Sequence, residues 1–164
     1  MLVKNPYSWL VSFFRRPYHG TRTETLDAFV DRPFPVMTGR ENADPSANLP
    51  AQIWNQKNTA YVALEDAATY ASIVRYEDFL EDEEGTLSRT AEALSIPKKE
   101  AFESIENASK VADTAKRSDY VDYYLQEKWR EDLNPAIVAR INGMLDQELV
   151  ERLGYARIES EHAL

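Results

Sequence analysis

The chain opens with the stretch that decides its fold, MLVKNPYSWLVSFF at residues 1–14. The apolar pair Leu2 and Val3 is typical of the end of a short buried strand. Asn5 and Pro6 then predict a helix start, because asparagine caps the amides of a first turn and proline fits the first helical position. The stretch therefore predicts a strand that runs directly into a helix.

A second strand is predicted at residues 71–74, a short apolar run that leads directly into charged residues. The link from Lys4 to Tyr70 is long enough for a helical crossover, which parallel strands need, so we expect the two strands to pair in parallel. The predicted fold class is α/β, mostly helical with a few short parallel strands. Apolar spacing and caps predict helices at residues 24–30, 50–64 and 86–94, and a last one that carries the apolar stripe from Ile137 to Leu153.

The composition excludes several classes of protein. The 164 residues include 28 acids and 19 bases, for a formal net charge of -9, and no cysteine. A disulfide framework, a cysteine zinc site and a thiol nucleophile are therefore excluded. We expect no nucleic-acid partner, no membrane span and no metal site, because the chain is acidic, its apolar runs are short and no ligand spacing stands out. No targeting segment is recognised, so the expected location is cytoplasmic.

Positive charge concentrates at the N-terminal end of the chain. Residues 1–40 carry six bases and three acids, a net charge of +3, which leaves -12 for residues 41–164. Such an asymmetry indicates either a local anion site or a chance clustering.

Lys4 stands where the first predicted strand ends and the first helix begins. A cation delivered to such a junction, beside the positive end of a helix, is typical of a phosphate site. Ser12 lies two turns further and could add a hydroxyl donor. The alternative is an ordinary helix start with an exposed lysine.

Tyr76 stands at the end of the second predicted strand. Its ring could face a planar ligand, although a tyrosine in this place is commonly structural. The acids that follow, at residues 77–84, favour a solvated loop and helix start over a metal site. His19, in a loop beside Pro17 and Gly20, is read as a surface residue.

Taken together and in order, these segments resemble the sulfotransferase family. Lys4-Asn5-Pro6 followed by Val11-Ser12 is similar to the family's nucleotide 3′-phosphate motif, and residues 74–80 are similar to its Arg-Tyr-Glu-Asp-Leu segment. The further matching pieces are residues 84–87, 91–94 and 96–97, Trp129, and residues 151–155.

The resemblance implies a P-loop-type nucleotide-binding fold and the sulfate donor 3′-phosphoadenosine 5′-phosphosulfate (PAPS), with adenosine 3′,5′-bisphosphate as its product. By position, Lys4 and Ser12 would hold the 3′-phosphate and Tyr76 would approach the adenine. Lys116 and Arg117 are the candidates for a later basic loop. The acceptor would be the hydroxyl or amine of a small molecule or glycan, and the domain would cover residues 1–155, with a tail at 156–164.

Three departures from the family pattern limit this expectation. The family's 5′-phosphosulfate loop would precede Lys4 by many tens of residues, so we expect an incomplete domain: the C-terminal portion of an enzyme, a misplaced gene start, or a degenerate domain. No catalytic base is assigned, and Lys4 stands in place of an arginine, which loses the bidentate fork. The alternative function is a non-catalytic remnant that binds a nucleotide weakly or serves as an interaction module.

Two structural expectations follow. Lys4, Ser12 and Tyr76 should converge on one cleft at the carboxyl ends of the two strands. The predicted core consists of Trp9, Leu10, Phe13, Ile73, Val74, Leu87, Leu94, Ile141, Leu145 and Leu149.

Overall fold

Two short strands pair in parallel, as predicted. The structure, a computed structural model, describes residues 1–16, 25–33, 49–104 and 116–159. Strand β1 is Leu2–Val3 and strand β2 is Val74–Arg75, with Leu2 opposite Val74. β2 thus begins at the last residue of the predicted run. The described chain is mostly helical around this pair and belongs to the mixed α/β class.

Helices make up most of the described chain, and four of them lie where the sequence predicts them: α1, α2, α3 and α5. The bounds are α1 Pro6–Arg15, α2 Leu26–Val30, α3 Pro50–Ala67, α4 Tyr76–Glu81, α5 Glu83–Ala93, α6 Arg117–Leu125, a 3-10 helix Lys128–Asp132, α7 Pro135–Met144 and α8 Gln147–Arg152. Two further helices are α4, which overlaps the acidic run read as a solvated loop and helix start, and α6, where the sequence predicted no element.

The first helix begins as its sequence predicts. The Asn5 side chain accepts hydrogen bonds from the amides of Tyr7 and Ser8, at 3.0 and 3.3 Å, and Pro6 occupies the first helical position. These bonds satisfy amides that have no partner within the helix. Helix α1 therefore starts two residues after Lys4, and only Lys4 and Asn5 separate it from the end of β1.

The predicted last helix is in fact two helices. Leu145 has an extended backbone, and the Asp146 side chain accepts a hydrogen bond from the amide of Leu149 at 3.1 Å, which starts α8. An aspartate offers this local bond only to a new helix start, so the cap prevails over the continuous apolar spacing. The stripe from Ile137 to Leu153 is divided between α7 and α8.

The core forms two clusters. One lies around α1, α2 and α7 and includes Trp129 of the 3-10 helix; the other contains Val3, Trp54 and Leu149. Among the predicted core residues, those confirmed as buried are Leu10, Phe13, Ile141 and Leu149. Those that are half-buried are Trp9, Ile73, Val74, Leu94 and Leu145.

The prediction that Leu87 is buried is wrong. Its side chain is 43% exposed, whereas Thr86 is the buried residue of α5. Helix α5 packs against α4 through the Thr86 side, where the Thr86 hydroxyl donates to the carbonyl of Asp78 at 3.2 Å. Apolar spacing shows that a helix has an apolar face, but not whether another element covers it.

The packed region extends past residue 155. Ile158 is buried in the first cluster, its amide donates to the Tyr7 hydroxyl at 3.1 Å, and its carbonyl accepts from Asn142 at 2.9 Å. The end of the described chain is thereby tied to the first turn of α1.

None of the helices among the described residues has the length and apolar content needed to cross a membrane.

Candidate functional site

The candidate site lies where both strands end and the helices that follow them begin. Lys4 follows β1 and Tyr76 follows β2, so the parallel pairing brings the two side chains together. The carbonyl of Lys4 accepts a hydrogen bond from the indole Nε1 of Trp54 at 3.0 Å, which fixes the backbone of the junction against α3.

The Lys4 ammonium lies among hydroxyl and aromatic groups. Its Nζ donates to Ser12 Oγ at 2.8 Å, and it lies 3.8 Å from the ring centre of Tyr124 and 5.2 Å from that of Tyr76. No ion pair joins Lys4 to a carboxylate in the part of the chain that the structure describes. Its charge is therefore balanced by the negative faces of the rings, by lone pairs and, without an ion pair, by the charge of Glu77.

Burial lowers the pKa of Lys4 from its ordinary value of 10.5 to about 7, and the charge of Glu77 offsets part of this change. Desolvation disfavours the ammonium, whereas a nearby anion favours it. Near neutral pH the amine thus titrates, and a bound anion would hold it in the charged form.

Ser12 is the centre of the hydrogen-bond network. Its Oγ donates to the carbonyl of Ser8 at 2.8 Å and lies 3.0 Å from the hydroxyl of Tyr124, in addition to its bond from Lys4. The structure brings Lys4, Ser12 and Tyr76 close together, as predicted, whereas their predicted cleft stays a prediction.

Two tyrosine rings border the amine, and a third stacks on one of them. The ring of Tyr76 meets that of Tyr124 edge-on, with centres 5.1 Å apart, and Tyr120 stacks on Tyr124 with centres 6.4 Å apart and planes 6° apart. Burial raises the pKa of the Tyr76 hydroxyl, so the group stays neutral. The site therefore has one cation and several flat apolar surfaces.

Glu77 supports the junction and was not predicted as a site residue. Its carboxylate accepts from the Asn5 amide at 3.1 Å and from the Tyr155 hydroxyl at 2.8 Å. The residue belongs to the quoted segment 74–80, so its position after Tyr76 was the available signal. Tyr120 and Tyr124, four positions apart, were also missed, because no helix was predicted around them.

Lys116 and Arg117 do not join the contacts around Lys4. Lys116 is exposed, and its amide donates to Asp119 at 2.8 Å at the start of α6. Arg117 Nη2 donates to the carbonyl of Leu80 at 2.9 Å, and its Nε lies 3.0 Å from Glu83 Oε2, an ion pair without hydrogen-bond alignment. These contacts give Arg117 a role in holding α6 against α4. His19 lies outside the described residues.

No protein-family model matches this chain, and neither a curated protein nor a solved structure matches it.

Proposed function

We propose that this chain is a sulfotransferase-like domain that binds PAPS, with Lys4 and Ser12 at the 3′-phosphate and Tyr76 beside the adenine. The observation that supports the proposal most directly is the Lys4 amine, which is buried on most sides and has no carboxylate partner among the described residues. An arrangement of this kind favours an anionic ligand, because the ligand supplies the missing counter-charge.

The residues present fit the phosphate end of such a nucleotide. Lys4 offers donors, and α1 starts two residues further along the chain, with its positive dipole end at the same junction. The first amides of α1 are already bonded to Asn5, so side chains rather than backbone amides would hold the phosphate. With one lysine and with Glu77 nearby, the affinity should be weak.

The aromatic surfaces fit the nucleoside. The ring of Tyr76 is half-buried and lies within 5.2 Å of the Lys4 amine, a separation that a phosphate and its nucleoside can span. A neutral tyrosine ring stacks on a base without hydrogen-bond readout. The ring would thus orient the nucleotide, while Lys4 would fix its phosphate.

In the proposed reaction, PAPS supplies the activated sulfuryl group. The bond between sulfur and the bridging phosphate oxygen breaks, a bond forms from sulfur to an acceptor hydroxyl or amine, and the acceptor loses a proton. The products are adenosine 3′,5′-bisphosphate and a sulfated acceptor. The residues of this site would bind and orient the nucleotide, and no described residue is assigned as the base.

The alternative is a non-catalytic domain that keeps the nucleotide site. It predicts the same binding by Lys4 but no transfer of sulfate to any acceptor. The two alternatives therefore differ in turnover, not in affinity.

Calorimetric titration with adenosine 3′,5′-bisphosphate tests the proposal. We expect weak binding by the wild type and at least about tenfold loss in Lys4→Ala, since a charged donor to phosphate is removed. Lys57→Ala is the matched control, because Lys57 also lies over a tyrosine ring, that of Tyr61, at 5.8 Å. Equal affinities in all three proteins would overturn the assignment of Lys4 to the 3′-phosphate.

A further inference from the structure

Tyr124 contacts both residues to which the proposed function assigns the phosphate, although no motif pointed to it. Its hydroxyl lies 3.0 Å from Ser12 Oγ, and its ring lies 3.8 Å from the Lys4 amine. It belongs to α6, 112 positions after Ser12 in the chain. Helix packing, not a local sequence pattern, brings it to the site.

The protons of this network can be assigned. A serine hydroxyl has one proton and two lone pairs, and a backbone carbonyl can only accept. The Ser12 proton must therefore go to the Ser8 carbonyl, 2.8 Å away. Both lone pairs of Ser12 Oγ then accept, one from the Lys4 ammonium and one from the Tyr124 hydroxyl.

It follows that two donors, one charged and one neutral, point at a single oxygen. A phosphate oxygen is a stronger acceptor than a serine hydroxyl, because it carries negative charge. Because its own proton is committed to Ser8, Ser12 serves the proposed 3′-phosphate site by holding the two donors close together in the absence of ligand, not by donating to the phosphate.

We propose that Tyr124 is the second hydrogen-bond donor to the bound phosphate, whose oxygens replace Ser12 Oγ as acceptors for Tyr124 and Lys4. This inference rests on the proposed function and extends it, because Tyr124 then contributes to the selection of a terminal phosphate. A phosphate monoester has enough unesterified oxygens to accept from both donors, whereas an adenosine without the 3′-phosphate has none there.

The surroundings of Tyr124 favour a small rotation over a large movement. Its ring is packed against Tyr76 and Tyr120, and Tyr123 meets it edge-on with centres 4.9 Å apart. Rotation of the hydroxyl about its C–O bond redirects the proton without displacing the ring. The donor is therefore positioned before the ligand arrives, which reduces the entropy lost on binding.

Tyr124→Phe and Tyr123→Phe form a matched pair that tests the inference. Both remove one hydroxyl from adjacent positions of α6, and the Tyr123 hydroxyl has no hydrogen-bond partner among the described residues. We expect Tyr124→Phe to lower the affinity for adenosine 3′,5′-bisphosphate about tenfold, as the loss of a bond to a charged group does. Its affinity for adenosine 5′-monophosphate, and both affinities of Tyr123→Phe, should stay within about twofold of wild type.

The outcomes separate this inference from the proposed function. Wild-type affinity in Tyr124→Phe, beside a loss in Lys4→Ala, would overturn the role of Tyr124 and leave the function standing. Equal losses in Tyr124→Phe and Tyr123→Phe would overturn it as well, by showing a general effect on α6. If the wild type does not bind the nucleotide, titration with inorganic phosphate followed by NMR tests the phosphate site alone. Phosphate binding that both Lys4→Ala and Tyr124→Phe abolish supports the donor pair without the nucleotide. No binding of phosphate overturns both proposals.

Discussion

Two cationic regions lie close to β2, and they differ in the number of positive charges. One is a pocket of about 440 Å³ lined by Arg75, Arg89 and Arg152, together with apolar side chains such as that of Ile73. The other is the candidate site, with Lys4 as its cation. On the number of charges alone, the pocket would be the better site for an anion.

When the partners of these charges are considered, the candidate site is the better one for an anion. Each arginine of the pocket lies near a carboxylate, whereas Lys4 lies among tyrosine rings and the Ser12 hydroxyl. The pairs are Arg152 with Asp66 at 2.6 Å, Arg89 with Asp82 at 3.3 Å, and Arg75 with Asp78 at 3.6 Å. The difference makes Lys4, which has no ion pair among the described residues, a better candidate for an anion site than three arginines that are already paired.

Charge reversal at one position in each region should have the largest effect. Lys4→Glu is expected to lower the affinity for adenosine 3′,5′-bisphosphate by at least about a hundredfold, because it places a carboxylate where the phosphate binds. Arg152→Glu should change the affinity less than about twofold, since Arg152 lies in the other region. Calorimetry measures both affinities, and circular dichroism checks that both variants are folded. A larger loss of affinity in Arg152→Glu than in Lys4→Glu would show that the arginine-lined pocket, and not the candidate site, binds the nucleotide.

The second effect is a dependence on pH that only the lysine site can have. Because the pKa of Lys4 is about 7 without ligand and a bound phosphate raises it, affinity should fall as the pH rises above 7. The fall approaches about tenfold per pH unit, since one proton is then taken up on binding. Titrations at pH 8 in two buffers of different ionisation enthalpy measure that proton, and Lys4→Arg should lack it. An affinity that is flat between pH 6 and 9 would contradict the proposed role of Lys4.

The lowered pKa of Lys4 also predicts the direction in which the free energy of unfolding changes with pH. Between pH 7 and 10.5 the unfolded state binds more protons at Lys4 than the folded state does, so this contribution to the free energy of unfolding rises with pH. Lys4→Met should therefore stabilise the protein more at pH 6 than at pH 9, as urea unfolding would show.

The smallest effect concerns the two basic residues at the start of α6. Arg117→Ala removes the bond to the Leu80 carbonyl and the ion pair with Glu83, and should lower the free energy of unfolding by about 1–3 kcal/mol. Lys116→Ala removes an exposed side chain and should change it by less than about 0.5 kcal/mol. Urea titration measures both. Similar losses in the two variants would mean that Arg117 is not the residue that anchors α6.

Local signals account for the parts of the fold that could be predicted. The asparagine and proline after β1 start α1, and the short apolar run before Arg75 forms β2. The break between α7 and α8 could not be predicted, because Leu145 continues the apolar spacing while Asp146 caps a new helix. The burial of Leu87 was predicted wrongly for another reason. Its exposure depends on which elements pack beside α5, and spacing within one helix carries no such information.

The candidate site likewise contains residues that could be predicted from the sequence and residues that could not. Lys4 and Tyr76 could be placed together because parallel strands end at one edge, and Ser12 follows from helical spacing. Tyr124 could not, because no helix was predicted at its position and its place depends on contacts across the fold. Arg117 was selected for its charge, but its charge is neutralised by Glu83.

The bond between the Ile158 amide and the Tyr7 hydroxyl has a consequence for synthesis of the protein. It joins residues 151 positions apart, and Tyr7 is fully buried, so α1 cannot complete its packing until residue 158 has left the ribosome. At translation rates of about 5–20 residues per second, that delay lasts roughly 8–30 s. Throughout this interval the apolar face of α1 is without its final neighbours, and exposed apolar surface of this kind makes an incompletely folded chain prone to aggregate.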